Sequence, residues 1–475
     1  MFERVIEFRA GHGPDDAAIE MPGSTISFGR FWADIQSVAA ALQKDLTLPP
    51  RSIVLISDSR PYIHWLLFCA LERLGHISVS DDQQGHTIGI VKPDAVVAES
   101  AEHPGKAGKF LNVSADWVTA ALKEGGRVER SPVADDDPVR IHLSSGTTGR
   151  PKQVVSSRHQ VDVRFMRTLA GPLPFKLRTL SMMGMNTGAY ETAFTTWVVG
   201  GTMIYGGSLP PGQALAQLKP NFAIMVPIQL QYMLMSAPPD FEKRSDLRIG
   251  LSGAATPRRL LAAAKARLTD DILFAYATSE VGIIAIGPAR VAEETAGGVG
   301  YIAPWARVEV VDDEHRPVPN GTIGRLRVHA EGLFSGYRDG ASDGDGLLKD
   351  GWFYSGDLVS RRDDGLLVLE GREDDVLNLG GDKISAFAIE EALMTNPGVT
   401  DAAAFSLPDA DGNAALFVAV VQRAGIDPGS VEATVKEKLR HAVTLVTVDA
   451  VPRNQMGKVM RRELKAAVAQ KLQTG

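Results

Sequence analysis

From Ser27 to Leu46 the apolar residues Phe28, Phe31, Trp32, Ile35, Val38, Ala39 and Leu42 recur at helical spacing, which predicts an amphipathic helix. Arg51 to Ser57 (R-S-I-V-L-I-S) is a short apolar run with the character of a buried strand. Ile63 to Leu74 is helical again, with Leu67, Phe68, Leu71 and Leu74 on one side and Gly75 to stop it. The next stretch, H-I-S-V-S, returns to strand. Strand, helix and strand in succession form the βαβ unit of a parallel sheet. Ala95 to Ser100 continues in that style.

Further along, Gln160 to Leu169 has helical spacing, and Pro172 to Gly207 is apolar, glycine-rich and short of charge. Leu247 to Gly253 is a strand ending in small residues, followed by a helix from Pro257 to Leu268 capped by Thr256. Leu273 to Glu280 is another strand that runs into a polar end. In open α/β sheets ligands sit beyond the carboxyl ends of strands, which is where Ser144, Gly253 and Glu280 would lie. From Arg307 to Gly371 the pattern changes to short strands with Asp-Gly, Asn-Gly and Pro turns, predicting antiparallel sheet or a small barrel. A charged seam, Gly371-Arg372-Glu373-Asp374-Asp375, then precedes a separate α+β pattern. That pattern has helices at Ala388–Asn396 and Ser430–Ala442 and strands at Ala402–Leu407 and Ala415–Gln422. The expected fold is α/β. A large N-terminal domain (1–373) holds two βαβ-type subdomains and a small β-barrel, and a small α+β domain (374–475) follows.

Composition narrows the function more than the fold. A chain of 475 residues calls for more than one core. The net charge of -7 argues against a nucleic-acid partner. Cys69 is the sole cysteine, which rules out an intrachain disulfide and a cysteine metal cluster and suits a reducing, cytoplasmic setting. No apolar run is long enough to span a bilayer, and the N-terminus has no signal-peptide core, so no membrane role is expected.

One stretch carries chemistry on its own terms. Ser144 to Lys152 reads S-S-G-T-T-G-R-P-K after the apolar V-R-I-H-L. Small hydroxyls, free backbone N–H groups and a lysine suit a polyphosphate, with glycines that let the backbone approach. The order differs from G-x-x-x-x-G-K-[ST], since Pro151 precedes Lys152 and neither Ser nor Thr follows it. A flexible linker has the same composition, and the stretch alone does not separate the two readings.

Five stretches in order resemble the adenylate-forming superfamily of acyl- and aryl-CoA synthetases, luciferases and peptide-synthetase adenylation domains. They are Ser144–Lys152, Y-A-T-S-E (Tyr276–Glu280), G-W-F-Y-S-G-D-L (Gly351–Leu358), G-R-E-D-D-V-L-N-L-G-G-D-K-I (Gly371–Ile384) and P-R-N-Q-M-G-K (Pro452–Lys458). The resemblance implies ATP, Mg2+ and coenzyme A as reactants and cofactor, an acyl-adenylate intermediate, and a carboxylic acid as the small-molecule partner. It implies that Ser144, Ser145, Gly146, Thr147, Thr148, Gly149 and Lys152 hold the phosphates, with Glu280 and Thr148 at the metal. Gly253, Ala254 and Ala255 would border the adenine and Tyr276 stack on it, Ala277, Thr278 and Ser279 would belong to the same ATP site, Asp357 would meet the ribose, and Arg372 the ribose or phosphates. Lys458, Glu280 and Arg372 are the implied catalytic groups, with Lys458 pairing the substrate carboxylate and the α-phosphate. Asp374 is the implied hinge about which the small domain turns between the two half-reactions.

Some positions depart from the family pattern. Gln153 stands where many relatives have Gly, Ala277 where glycine is usual, and Ser279 where Thr is usual. No histidine lies between His159 and His315, so the family's histidine near residue 185 has no counterpart. From Val163 to Pro239 Glu191 is the sole acid, which disfavours an amino-acid substrate, because a buried ammonium needs a partner. Met185, Asn186, Tyr190 and Met225 are the expected walls of a pocket for an apolar acyl or aryl group. The short stretch after Lys458 makes free coenzyme A the expected acceptor. The alternatives are a separate carrier protein, or a non-catalytic homologue that binds nucleotide, and the chain is expected to be a monomer or homodimer.

Overall fold

The computed structural model describes residues 1–81, 87–100, 102, 108–144, 152–169, 176–185, 187–338, 347–379, 382–408, 414–423, 429, 431–434, 442–453, 457 and 459–474. The helix Phe28–Leu46 forms where the apolar spacing predicts it; the Ser27 hydroxyl accepts from the Arg30 N–H and Thr47 closes the far end with φ 44. Pro61–Leu74 begins on a proline whose missing N–H costs nothing at a first turn, and ends on Gly75 at φ 71. Between them runs the strand Ile53–Ser57, and Ile77–Ser80 pairs parallel to it.

Among the described residues these strands belong to a six-stranded sheet in the spatial order Lys109–Asn112, Ala95–Ala98, Ile53–Ser57, Ile77–Ser80, Pro138–Ser144, Lys152–Ser157. Its last pair is an antiparallel hairpin, in which Ser144 faces Lys152. The expected phosphate stretch is therefore the connection of a hairpin. The strand on its far side, Lys152–Ser157, is not among the elements that the sequence predicts, which resume with the helix from Gln160.

A second sheet, of 14 strands among the described residues, joins two patterns that the sequence reads separately. Ala17–Met21, Thr202–Ile204, Arg178–Ser181, Phe222–Met225, Arg248–Ser252 and Asp271–Thr278 run parallel. Asp271–Thr278 then turns back on Gly282–Pro288, and the antiparallel strands up to Leu366–Arg372 continue outward from there. The short, turn-rich strands thus extend the parallel sheet by hydrogen bonding.

The largest core lies between the helices Phe2–His12, Phe28–Leu46, Pro61–Leu74 and Thr187–Val198. Phe2, Trp65, Phe68, Tyr190, Phe194 and Trp197 pack edge to face or tilted there, with centroids 4.6 to 6.3 Å apart. The first of these helices is not evident in the sequence, because its charges hide the two inward-facing residues Phe2 and Ile6. The small domain packs Ala386–Met394 and Arg461–Thr474 against the strands Val399–Pro408, Ala414–Gln422 and Val443–Thr447. The helix expected at Ser430–Ala442 falls largely outside the described residues. Among those described, no helix is long and apolar enough to cross a membrane.

His64 is wholly enclosed in the main core, where its Nε2 meets the Tyr190 hydroxyl at 2.6 Å and Ser80 Oγ at 3.2 Å. Burial, reinforced by the Arg140 charge, lowers its pKa from 6.5 to about 3. Below pH 6.5 the unfolded chain takes up a proton there that the folded chain refuses, so the stability this group supports falls away from pH 6.5 towards 3. Urea unfolding at pH 7.5 and pH 5 should show a loss of about 2 kcal/mol that His64→Gln reduces. An unchanged pH dependence in that variant would refute the assignment.

Candidate active site

Asp357 lies on the strand Trp352–Arg361, directly opposite Arg372 on Leu366–Arg372. Its side chain is 5% exposed, and both carboxylate oxygens are engaged. Arg372 Nη1 donates to Oδ1 at 2.9 Å, and the Tyr276 hydroxyl donates to Oδ2. Arg372 also donates to the Ser355 carbonyl at 3.3 Å, and the backbone N–H of Asp357 donates to Ser355 Oγ at 3.1 Å. Burial first, and then the charge of Asp357, push the Tyr276 phenol well above its ordinary pKa, so it stays a donor. Gly356 holds φ 73, and a Cβ there would come within 3.1 Å of Arg372 Nη2. That glycine lets the strand bend while the guanidinium passes over it.

Tyr276 connects this carboxylate to the neighbouring strand end. Its predecessor, Ala275, pairs with Ser252, the last residue of Arg248–Ser252. Gly253, at φ 90, Ala254 and Ala255 follow at once, so the expected adenine border stands beside Tyr276. Gly457 of the small domain closes on the same place: a Cβ on it would lie 3.9 Å from that of Ala254. Lys458, the next residue, lies outside the described residues.

Ser279 and Glu280 form the turn between Asp271–Thr278 and Gly282–Pro288. Glu280 is 7% exposed and accepts from the Tyr337 hydroxyl at 2.9 Å. Lys152 Nζ stands 5.2 Å from the centre of that same ring, and Tyr337 bridges to Val154 on the strand that Lys152 begins. Glu280, Tyr337 and Lys152 thus form one row beside the hairpin connection. Ser145, Gly146, Thr147, Thr148 and Gly149 lie outside the described residues, and Ser144 is the last residue of its strand. No group of three or more His, Cys, Asp or Glu capable of holding a metal occurs among the described residues. A single carboxylate at Glu280 fits a Mg2+ that is held mostly by phosphate oxygens and water.

The row has a support that the sequence analysis did not identify. Arg164, on Arg158–Thr168, donates to the Ser279 carbonyl at 2.9 Å and to Glu191 at 3.0 Å. Glu191 is the acid noted above for its isolation. Its partner, 27 residues away on another helix, is not predictable from spacing. Buried Arg140 likewise sits 3.5 Å from the centre of the Tyr190 ring and donates to Ser78 and Ser80 at 2.9 Å, inside what the sequence presents as an apolar strand.

The expected acyl-pocket residues are not brought together. Tyr190 is 0% exposed in the aromatic core, with its hydroxyl against His64 and Ser80. Met185 packs at the edge of that core, and Met225 is buried in the neighbouring one. Asn186 lies outside the described residues. Asp374 is in the single 3-10 turn Glu373–Asp375 immediately after Arg372, with Glu373 held by Arg325 at 2.8 Å and Asp375 by Arg461 at 3.2 Å.

With this geometry in place, the comparisons are concordant. The family model for AMP-binding enzymes matches residues 6–338, and that for the AMP-binding enzyme C-terminal domain matches 388–474. The fatty acid--[acyl-carrier-protein] ligase MmaC of Mycobacterium marinum is 26% identical over all of this chain and 98% of its own. The indoleacetate--CoA ligase of Aromatoleum aromaticum is 24% identical over 98% of each. Among solved structures, ATP-bound MatB from Rhodopseudomonas palustris superposes with a TM-score of 0.88 at 21% identity, over 98% of this chain and 99% of that one. It shares the fold.

If Asp357 is what ties these strands together, its loss should cost more than the loss of one donor. Tyr276→Phe is expected to destabilise by about 1 kcal/mol and Asp357→Ala by about 3 kcal/mol in urea unfolding. Equal losses would show that the carboxylate is not the tie.

Proposed function

Because the chain belongs to the AMP-binding enzyme family, we propose that it activates an apolar acyl or aryl carboxylic acid with ATP and transfers the acyl group to coenzyme A. In the first half-reaction a carboxylate oxygen bonds to the α-phosphorus of ATP and the bond from that phosphorus to the bridging oxygen breaks, releasing pyrophosphate. In the second, the sulfur of the thiol bonds to the acyl carbon, AMP leaves, and the thiol proton passes to solvent.

The observation that carries this reading is the meeting of Asp357, Tyr276 and Arg372 beside the strand end at Gly253–Ala255, with Gly457 near Ala254. Asp357 keeps lone pairs for a ribose hydroxyl while Tyr276 and Arg372 hold its orientation. Arg372 is free to exchange its bond to the Ser355 carbonyl for one to nucleotide. The small residues at 253–255 leave a flat border for the base, beside the Tyr276 ring. Lys152 supplies charge at the mouth of the hairpin, and Glu280 would hold Mg2+, which supplies charge neutralisation to the phosphates when bound. Lys458 would join them from the small domain, turning about Asp374 between the half-reactions.

Substrate class rests on what is already committed. Glu191 is bound to Arg164, which leaves that acid unavailable to a substrate ammonium. A carrier protein in place of coenzyme A is a second reading, favoured by the likeness to the ligase MmaC along the whole chain.

Carboxylate-dependent pyrophosphate release, measured over aryl, short-, medium- and long-chain acids with and without coenzyme A, tests the reading. A signal for one acid class that rises with coenzyme A is expected. A signal indifferent to coenzyme A would move the acceptor to a carrier protein, and silence across the panel with ATP bound would favour a non-catalytic homologue. Lys458→Ala should lower adenylate formation about a hundredfold or more and spare thioester formation from a supplied acyl-adenylate. Asp374→Pro should slow the thioester step more than the first; equal effects would remove the hinge from residue 374.

A further inference from the structure

The helix Arg258–Arg267 begins three residues after Ala255, and its second residue reaches into the other domain. Arg259 donates through Nη1 to the carbonyl of Val399 and through Nη2 to that of Thr400. Both carbonyls belong to the start of the small domain's strand Val399–Pro408. They are available there for a local reason. Val399 pairs with Gln422 and Asp401 with Val421, so Thr400 is an extra residue in a bulge, outside the ladder. Its hydroxyl is turned back to the Val421 carbonyl at 2.9 Å, and its own carbonyl points to Arg259.

The next residue extends the connection. Asp401 accepts two bonds from Arg453, at 2.6 and 3.0 Å, and Arg453 Nη1 donates to the Gly457 carbonyl at 2.7 Å. Gly457 in turn lies beside Ala254, where an added Cβ would come 3.9 Å from the alanine methyl. A closed circuit results: the adenine border, the helix after it, the bulge, the Asp401–Arg453 pair, and back to the adenine border. The large domain holds the small one by a fork of hydrogen bonds at Arg259, and Gly457 lies beside Ala254.

The grip is of moderate strength. Arg259 keeps much of its surface in solvent, and burial of the remainder together with the neighbouring Arg423 cation lowers its pKa, with Asp401 opposing them. A guanidinium that faces another across an interface is held by geometry against repulsion, which suits a contact that must open.

We propose that Arg259 is a positioning residue: its fork on the Val399 and Thr400 carbonyls latches the small domain with Gly457 against Ala254, the arrangement used for adenylate formation, and lets go for thioester formation. This rests on the two-step reading above. The latch acts through the bulge and the Asp401–Arg453 pair, which set where Gly457 stands beside Ala254.

Two measurements on the full-length protein test it. With Arg259→Ala, adenylate formation should fall about fivefold or more, while thioester formation from supplied acyl-adenylate stays level or quickens. Arg259→Lys, which keeps the charge without the fork, should behave the same way, and serves if the alanine variant does not fold. Equal change in both half-reactions, or in neither, overturns the proposal. The second measurement needs no turnover. Cys69 is fully buried, so thiol-directed spin labels on Asp240→Cys and Glu463→Cys, both exposed, report the separation of the domains. A single dominant separation that broadens or shifts in Arg259→Ala is expected; an unchanged distribution overturns the latch. A protein inert in both half-reactions, whose domain separation still responds to Arg259→Ala, would refute the enzymatic reading and leave the latch standing.

Discussion

A carboxylate that is 5% exposed must be compensated, and the way Asp357 is compensated organises the site. Its partners come from different parts of the chain. Tyr276 belongs to the strand where the parallel half of the large sheet ends, and Arg372 to the final strand before the small domain. One anion therefore fixes the end of the parallel sheet, the end of the antiparallel sheet and the point from which the small domain departs. Without the anion the buried phenol would lose this acceptor, and the guanidinium would keep only the Ser355 carbonyl. The segment 253–255, proposed as the nucleotide border, depends on this tie as well, because the strand that precedes it pairs with the strand that carries Tyr276.

The parts of the fold legible in the sequence are those where local signals agree. The helix Phe28–Leu46 has the apolar period, a serine cap and a tolerated left-handed end; Pro61–Leu74 has proline at one end and glycine at the other. The opening helix Phe2–His12 escapes because only two of its residues turn fully inward among the apolar ones, too few for a period to stand out. The strand Lys152–Ser157 escapes because its pairing partner, across the hairpin, supplies the reason for it to be a strand. Residues whose chemistry is stated by type and context, such as Glu280, Asp357 and Arg372, were legible. Tyr337, which donates to Glu280, and Arg164, which donates to the Ser279 carbonyl, were not, since nothing in the spacing of a chain reports which side chain will face another.

Tyr190 shows the opposite failure. Its place in an apolar, charge-poor segment made it a candidate pocket wall, yet its ring fills the aromatic core and its hydroxyl completes a polar cluster with His64, Ser80 and, by its face, Arg140. Arg140 and His64 were unreadable for a related reason: on a strand or a helix packed on all sides, a basic residue is sustained by neighbours that come from elsewhere. Met185, Tyr190 and Met225 divide between two cores, so apolar character in that segment reports packing at least as much as ligand contact.

The ion pair between Arg164 and Glu191 bears on how such a protein can change over evolutionary time. Arg164 holds the carbonyl of Ser279, one residue before Glu280, so the acid that keeps Arg164 in place is tied to the geometry of the turn that carries Glu280. A lineage starting from this chain could not recruit Glu191 to greet an amino group without loosening that turn. A shift towards amino-acid substrates would have to begin with the gain of a new acid elsewhere, and the order of those mutational steps is thereby constrained.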